Sequence, residues 1–324
     1  MKHQPALIVV TFLVIGIGLI FIFKTLHLEE GAIVEALTKF HPLYWLGSLV
    51  AVVFQMIFQT HRLWVLFPGD AKLRWTHAAR AFSYGQFINT FGPTGAGDLL
   101  KVVLTRKHKD RHGRQIEASE ASAIVLVADK VADVGSVLLL IGLALLQTSF
   151  QVPEVPWNHY FSKLKTVLLS TIIIFLSFYL LFRLLRARFK IISHWLKGFK
   201  VGLQALQEPK RCSGGLLMGV ANWISELIAL SILCVAQGYS LSYSELLLSL
   251  VILNIGISIP ISPANIGVYE ASLAFALTKS GIPAGESLAI ATVHHLCQMI
   301  GTALWALMFW LYERWQDYKK DSAF

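Results

Sequence analysis

Charge is scarce in this sequence. Of its 324 residues only 15% are Asp, Glu, Lys or Arg, whereas soluble domains carry roughly 25%. No polar stretch is long enough to build a soluble domain, which argues against a cytosolic enzyme. Cysteine is rare too: Cys212, Cys234 and Cys297 form no CxxC pair and are odd in number. That excludes a disulfide framework and a cysteine zinc site, and the three read as small buried apolar residues. A nucleotide loop is missing. GxxxxGK[ST] does not occur, and Gly95-x-Gly97 lacks a third glycine because Leu100 stands in its place.

What the chain has is apolar length. Hydrophobic residues make up 55%, and runs long enough to cross a hydrocarbon core of about 30 Å recur throughout. Six are predicted to span: about 5–23, 43–66, 118–147, 164–183, 213–237 and 287–312. "KTLHLEE" follows the first run where a signal peptide would show small residues at a cleavage site, so an uncleaved anchor is expected. The net charge of +9 reads as basic loops facing the cytoplasm and anionic lipid, with no nucleic-acid partner.

Two further apolar segments, 81–100 and 246–279, are interrupted by Gly and Pro. The positive-inside rule decides how they sit. Of the 28 Lys and Arg, 22 fall in five groups: at Lys2, from Arg62 to Arg80, from Lys101 to Arg114, from Arg183 to Arg211, and from Arg314 to Lys320. Both flanks of 81–100 are basic, so that segment enters and leaves on the cytoplasmic side. Counting spans onward to the basic tail makes 246–279 begin and end outside. The expectation is an all-α polytopic membrane protein, a single domain over 1–324. It has six transmembrane helices, two re-entrant broken hairpins in an inverted repeat, and both termini in the cytoplasm.

The two hairpins share chemistry. Each has an Asn on its inbound arm (Asn89, Asn254), a Pro-x-x-x-Gly tip (Pro93 to Gly97, Pro263 to Gly267) and an acidic residue opening its outbound arm (Asp98, Glu270). Paired broken helices of opposite orientation point to a transporter's binding site. Irregular backbone at membrane depth survives only where protein or a wet cavity satisfies it. Gly95 and Gly97 permit a tight tip, and the helix N-terminus beyond it suits an anion. Two readings of Asp98 stand: an N-cap or a group of the site.

Elsewhere, Asp129 and Asp133 share a helix face with Lys130 between them, as a self-neutralised cluster or a site. Two readings of Glu226 stand: a structural group with a partner such as Lys130 or a backbone N–H, or a proton relay. His294, His295 and Gln298 mark the last span, without metal-site spacing. Gln55, Gln59 and His61 run along the inner half of the second span, where Arg62 and Trp64 read as interface anchors. Apolar residues at Ile192, Trp195, Leu196, Phe199 and Leu203, with basic neighbours, predict an amphipathic helix over about 186–204 lying on anionic lipid.

At the hairpins the chain resembles the lysylphosphatidylglycerol synthase transmembrane-domain family, the flippase-like membrane domain of the multiple peptide resistance factor. Its "P-G-x-G-G-D-x-x-R/K" segment is matched by Pro93, Gly95, Gly97, Asp98 and Lys101, and its late "P-x-G-x-G-x-x-E" turn by Pro263, Gly267 and Glu270. Its "E-R-x-x-D" appears as Asp129, Lys130 and Asp133, with Lys lacking the bidentate guanidinium fork. Asn265 stands where members often have Gly. The aminoacyl-transferase domain fused to better-known relatives has no counterpart in this sequence. The resemblance implies an inner-membrane protein that moves or binds lipids.

The expected function is therefore translocation of a phospholipid, glycolipid or polyprenyl-linked lipid through a cavity between the hairpins. Catalytic residues, a metal and a cofactor are not expected. The expected lining is Asn89, Thr94, Gly95, Gly97, Asp98 and Lys101 from the first hairpin, with Lys101 meeting a phosphate. Asn254, Ser262, Asn265 and Glu270 come from the second, Glu270 meeting an amine or a proton. Asp129, Lys130 and Asp133 complete it. Expected partners are lipids with an anionic head group, a separate lipid-modifying enzyme and further copies of the chain. The rival readings are an integral membrane glycosyltransferase or lipid-modifying enzyme, for which the first outer loop offers only Glu29, Glu30 and Glu35, and a non-catalytic subunit of such an enzyme.

Overall fold

The computed structural model describes residues 35, 38, 40–67, 73–92, 95–106, 115–146, 190–258 and 262–321. The expected spans at 5–23 and 164–183 lie outside the described residues, as does Thr94. Helix makes up 88% of the structure, with no strand among the described residues.

Three helices are long and apolar enough to cross a membrane: α1 (Pro42–Leu66), α7 (Pro209–Ala236) and α10 (Ala284–Asp321). The first hairpin is α2 (Trp75–Phe91) and α3 (Ala96–Arg106), and the second is α8 (Tyr243–Ile257) and α9 (Val268–Lys279). Between the two hairpins run α4 (Ala118–Ser122), a π-helical turn (Ala123–Ala128), α5 (Asp129–Leu146) and α6 (Lys190–Leu203).

Helix starts follow local chemistry. His41 Nδ1 accepts the Leu43 N–H at 3.3 Å before Pro42 opens α1. Ser242 and Glu245 form a reciprocal capping box on α8. Between helices, close approach relies on small residues, as membrane packing requires where lipid is as apolar as leucine. Gly214 and Gly215 of α7 lie under Val65 and Leu66 of α1, and Gly219 meets Ser136 of α5. Gly301 of α10 sits against Val52 of α1, and Gly256 of α8 against Ser272 of α9. The inner faces bury a leucine-rich layer that includes Leu230, Leu250, Leu253, Leu273 and Leu277. The outer faces show apolar residues such as Leu46, Phe54, Leu138, Leu143, Leu307 and Leu311, which suits contact with lipid.

Within the segment expected to be amphipathic, Lys190–Leu203 forms α6, and protein supports it. Gly198 and Gly202 are buried against Ser119, Glu120 and Ala123, so one face of α6 packs on protein. The π-turn on that same surface ends at Asp129, so it sets the helical phase of Asp129 and Asp133. Such turns recur at functional sites.

Candidate functional site

The two hairpin tips meet at one cavity of about 380 Å³. The first hairpin contributes Gln86, Asn89, Thr90, Gly95 and Asp98; the second contributes Asn254, Ile257, Ser258, Ala264, Asn265 and Tyr269. Gln55, Gln59 and Arg62 enter from α1, Lys130 and Asp133 from α5, Asn222, Trp223 and Glu226 from α7, and His295, Gln298 and Thr302 from α10.

Each tip is held by its own device. Gly95, at φ +85°, turns the first chain back. Asn89 then reaches across the break: its Oδ1 accepts the Gly97 N–H at 2.8 Å, and its Nδ2 donates to Asp98 Oδ1 at 3.0 Å. The inbound arm thus caps the outbound one, and Asp98 is not the cap. Gly97 is not a turn residue. It is where α3 crosses α2, and a Cβ there would fall 1.8 Å from the Gly85 carbonyl oxygen. In the second tip Ala264 and Asn265 both lie in the left-handed region, at φ 54° and 55°. Asn tolerates that conformation better than most non-Gly residues, which suits Asn265 to this turn. Ser262 Oγ donates to the Ile266 carbonyl at 2.8 Å and closes the turn. Glu270 Oε2 accepts the Gly267 N–H at 2.7 Å.

Charge is organised differently from the sequence reading. Arg62 is no interface anchor. It is buried, with Nε at 2.8 Å and Nη2 at 3.3 Å from the two oxygens of Asp129, while Nη1 donates to Asp133. The aspartates of α5 are therefore neutralised from α1, not by Lys130. That lysine is half exposed and points to Asp98 at 3.5 Å. The fork missing from the α5 motif is supplied by another helix, 67 residues away in sequence.

Lys101 is buried, bound to Asp98 at 2.9 Å and placed over the Phe82 ring at 5.2 Å. It lies behind the cavity wall, not in it, so the expected phosphate contact is corrected. Glu270 also lies behind the wall, its Oε1 holding His295 Nδ1 at 2.7 Å. His295 stacks on Tyr269 at 4.1 Å between ring centroids, and the Tyr269 hydroxyl meets His294 Nδ1 at 2.7 Å. Glu226 finds neither Lys130 nor a backbone N–H. Gln55 Nε2 donates to it at 3.3 Å, and Gln55 Oε1 accepts from Gln298 Nε2 at 2.9 Å. Gln59 Nε2 donates to Asn222 Oδ1 at 2.8 Å.

Of the residues expected to line a site, Asn89, Gly95, Asp98, Lys130, Asp133, Asn254 and Asn265 do line this cavity. Gly97, Lys101, Asp129, Ser262 and Glu270 support it from behind. Sequence reasoning missed Gln86, Asn222, Trp223 and Tyr269, and it did not assign Gln55, Gln59, Glu226, His295 or Gln298 to the site. A signal was available: carboxamides within apolar runs, at i,i+4 in Gln55/Gln59 and beside Glu226 in Asn222, repeatedly face one side. No cluster of metal-ligating side chains occurs among the described residues.

A second cavity, of about 440 Å³, lies between the start of α2 and the end of α10, lined by Arg74, His77, Arg80, Tyr312 and Glu313 among others. Glu313 binds Arg80 Nε at 2.8 Å and the Tyr84 hydroxyl at 2.8 Å, tying the first hairpin to α10.

No curated protein and no solved structure matches the chain. The family described as lysylphosphatidylglycerol synthase TM region matches residues 8–306, nearly the whole length. With its apolar helices and broken hairpins around one polar cavity, the chain belongs to that family of integral membrane domains.

Proposed function

We propose that this protein translocates a lipid between leaflets, passing its head group through the central cavity. One observation carries this reading: a polar cavity lies within an apolar helical bundle and is shared by two broken hairpins distant in sequence. Backbone at a helix break needs partners that lipid lacks, so hairpin tips that converge make one polar place where a head group is stabilised while its tails remain in hydrocarbon. The carboxylates on the cavity wall are engaged by Arg62, Lys130 and Gln55, which supports a binding role, and we assign any lipid-modifying chemistry to a separate enzyme. The cargo class is a phospholipid, a glycolipid or a polyprenyl-linked lipid, carried across a bacterial-type inner membrane.

Purified full-length protein in liposomes containing tail-labelled fluorescent phospholipid and glycolipid is expected to expose inner-leaflet label to an impermeant quencher. The substitution Asn254→Phe, which fills the cavity, is expected to return exposure to that of protein-free vesicles. Exposure no greater than in empty vesicles for every labelled lipid overturns the proposal.

The same reading places the first hairpin as re-entrant from the cytoplasm and the second from outside, with six spans and cytoplasmic termini. It predicts that Arg106→Cys labels only from the cytoplasmic face and Lys279→Cys only from the outer one. Outside labelling of Arg106→Cys makes the first hairpin a full crossing and removes the inverted arrangement.

A further inference from the structure

We infer that the head group accepted by the central cavity is neutral and rich in hydroxyls, of the sugar or polyol class. The inference rests on the cavity being a lipid head-group site, and it concerns which chemistry that site recognises.

Ionic groups near the cavity are already committed to one another. Arg62 faces Asp129 and Asp133, and Lys101 and Lys130 face Asp98: three cations against three carboxylates, in two sets. A phosphate accepts hydrogen bonds only, and its usual partners are free Arg or Lys. Taking one here means competing with Asp98, Asp129 or Asp133 for its cation, most weakly at Lys130, 3.5 Å from Asp98. An ammonium only donates, and of the three acidic lining groups Asp98 and Asp133 are engaged by these cations, while Glu226 accepts from the Gln55 amide.

What the cavity offers instead is carboxamide. Eight of its lining residues are Asn or Gln: two from α1, two from α2, one from α7, two from the second hairpin and one from α10. Several have an end to spare. The Gln86 side chain has no hydrogen-bond partner among the described residues, and Asn265 Oδ1 is a buried acceptor with none among them either. Trp223, only 5% exposed, has its indole N–H unpartnered. Asn222 keeps its amide N–H groups, since its oxygen alone is engaged by Gln59, whereas Asn254 keeps its oxygen, since its nitrogen donates to the Leu250 carbonyl.

These spare groups include both donors and acceptors, and none is charged. A hydroxyl is the complementary partner, because each one donates once and accepts twice. Buried polar groups left unpaired are costly, so a site of this kind discriminates strongly against ligands that lack the matching hydroxyls. Trp223 and Ile257, both lining the cavity, offer apolar surface that suits the C–H faces of a sugar ring. A volume of about 380 Å³ is at the small end of ligand sites, about 300–1,000 Å³, which fits one head group rather than a whole lipid.

The test uses the full chain in nanodiscs, prepared without sugar-headed detergent. The probes are dioctanoyl glucosylglycerol, dioctanoyl phosphatidic acid, dioctanoyl phosphatidylethanolamine and tail-free methyl glucoside. The glucolipid is expected to bind at least about tenfold more tightly than the other three, and Asn265→Ala and Gln86→Ala are each expected to weaken it by about tenfold while leaving phosphatidic acid unchanged. Phosphatidic acid or phosphatidylethanolamine binding as tightly as the glucolipid, in the unsubstituted protein, overturns the inference. Equal affinity for methyl glucoside makes the ligand a soluble sugar and overturns the lipid assignment. Liposome transport separates this from the translocation reading. Movement of all lipids without head-group preference removes only the sugar inference. Selective glucolipid binding without movement sustains that inference and removes transport.

Discussion

Replacing Arg62 with Met is expected to destabilise the protein by about 3–5 kcal/mol, the cost of leaving a buried charge without its partner. Met keeps much of the apolar stem, so the loss is mainly ionic. Without the guanidinium, Asp129 and Asp133 remain one helical turn apart with no cation between them. Asp129 is nearly buried, whereas the Asp133 side chain is 33% exposed, which places the expected loss at the lower end of that range. Two companions decide the cause. Combining Arg62→Met with Asp129→Asn and Asp133→Asn is expected to recover most of the stability, because no uncompensated charge then remains. Lys130→Ala is expected to cost about 0–1 kcal/mol, as exposed pairs do, because its side chain is 53% exposed and its ammonium lies 3.5 Å from Asp98. Unfolding of the purified variants in one detergent gives all three values. Equal losses for Lys130→Ala and Arg62→Met would return the charged cluster to α5 alone.

That cluster shows where sequence reading reached its limit. The broken segments, their Asn and acidic markers and the long apolar helices α1, α7 and α10 are local patterns, and the structure contains each of them. Asp129 and Asp133 were legible as a pair for the same reason: i,i+4 spacing puts them on one face. Their counterion was not legible, because it depends on how α1 lies against α5, and nothing near residue 129 encodes residue 62. Proximity in sequence therefore favoured Lys130, while packing favoured Arg62, whose fork meets both oxygens of one carboxylate. Lys101 failed in the opposite way. Its motif position beside Asp98 was read as a cavity position, yet at i+3 it turns back onto Asp98 and over the Phe82 ring. The carboxamides were present in the sequence but looked like isolated polar exceptions on separate helices. Only the fold shows that they face one space.

Gly97→Ala is expected to lower stability and abolish transport, although alanine is the better helix former by about 1 kcal/mol. Gly97 lies within α3, so propensity alone predicts a gain. The opposing effect is steric. The added methyl falls 1.8 Å from the Gly85 carbonyl oxygen and 2.6 Å from Asn89 Oδ1, and the nearer atom is backbone that cannot rotate away. The arms must separate, at a cost of about 1–3 kcal/mol or more for overpacking. Separation also breaks the Asn89 cap on the Gly97 N–H and draws Asp98 away from the cavity. The steric cost thus exceeds the propensity gain, and the damage falls on the tip that lines the site. Gly142→Ala is the control: it lies in α5 with nothing within 4 Å of the new methyl, so it is expected to raise stability by up to about 1 kcal/mol. Melting temperatures of the two variants in the same detergent should move in opposite directions. If both rise together, α2 and α3 do not cross at Gly85 and Gly97, and the tip geometry that joins the first hairpin to the cavity is wrong.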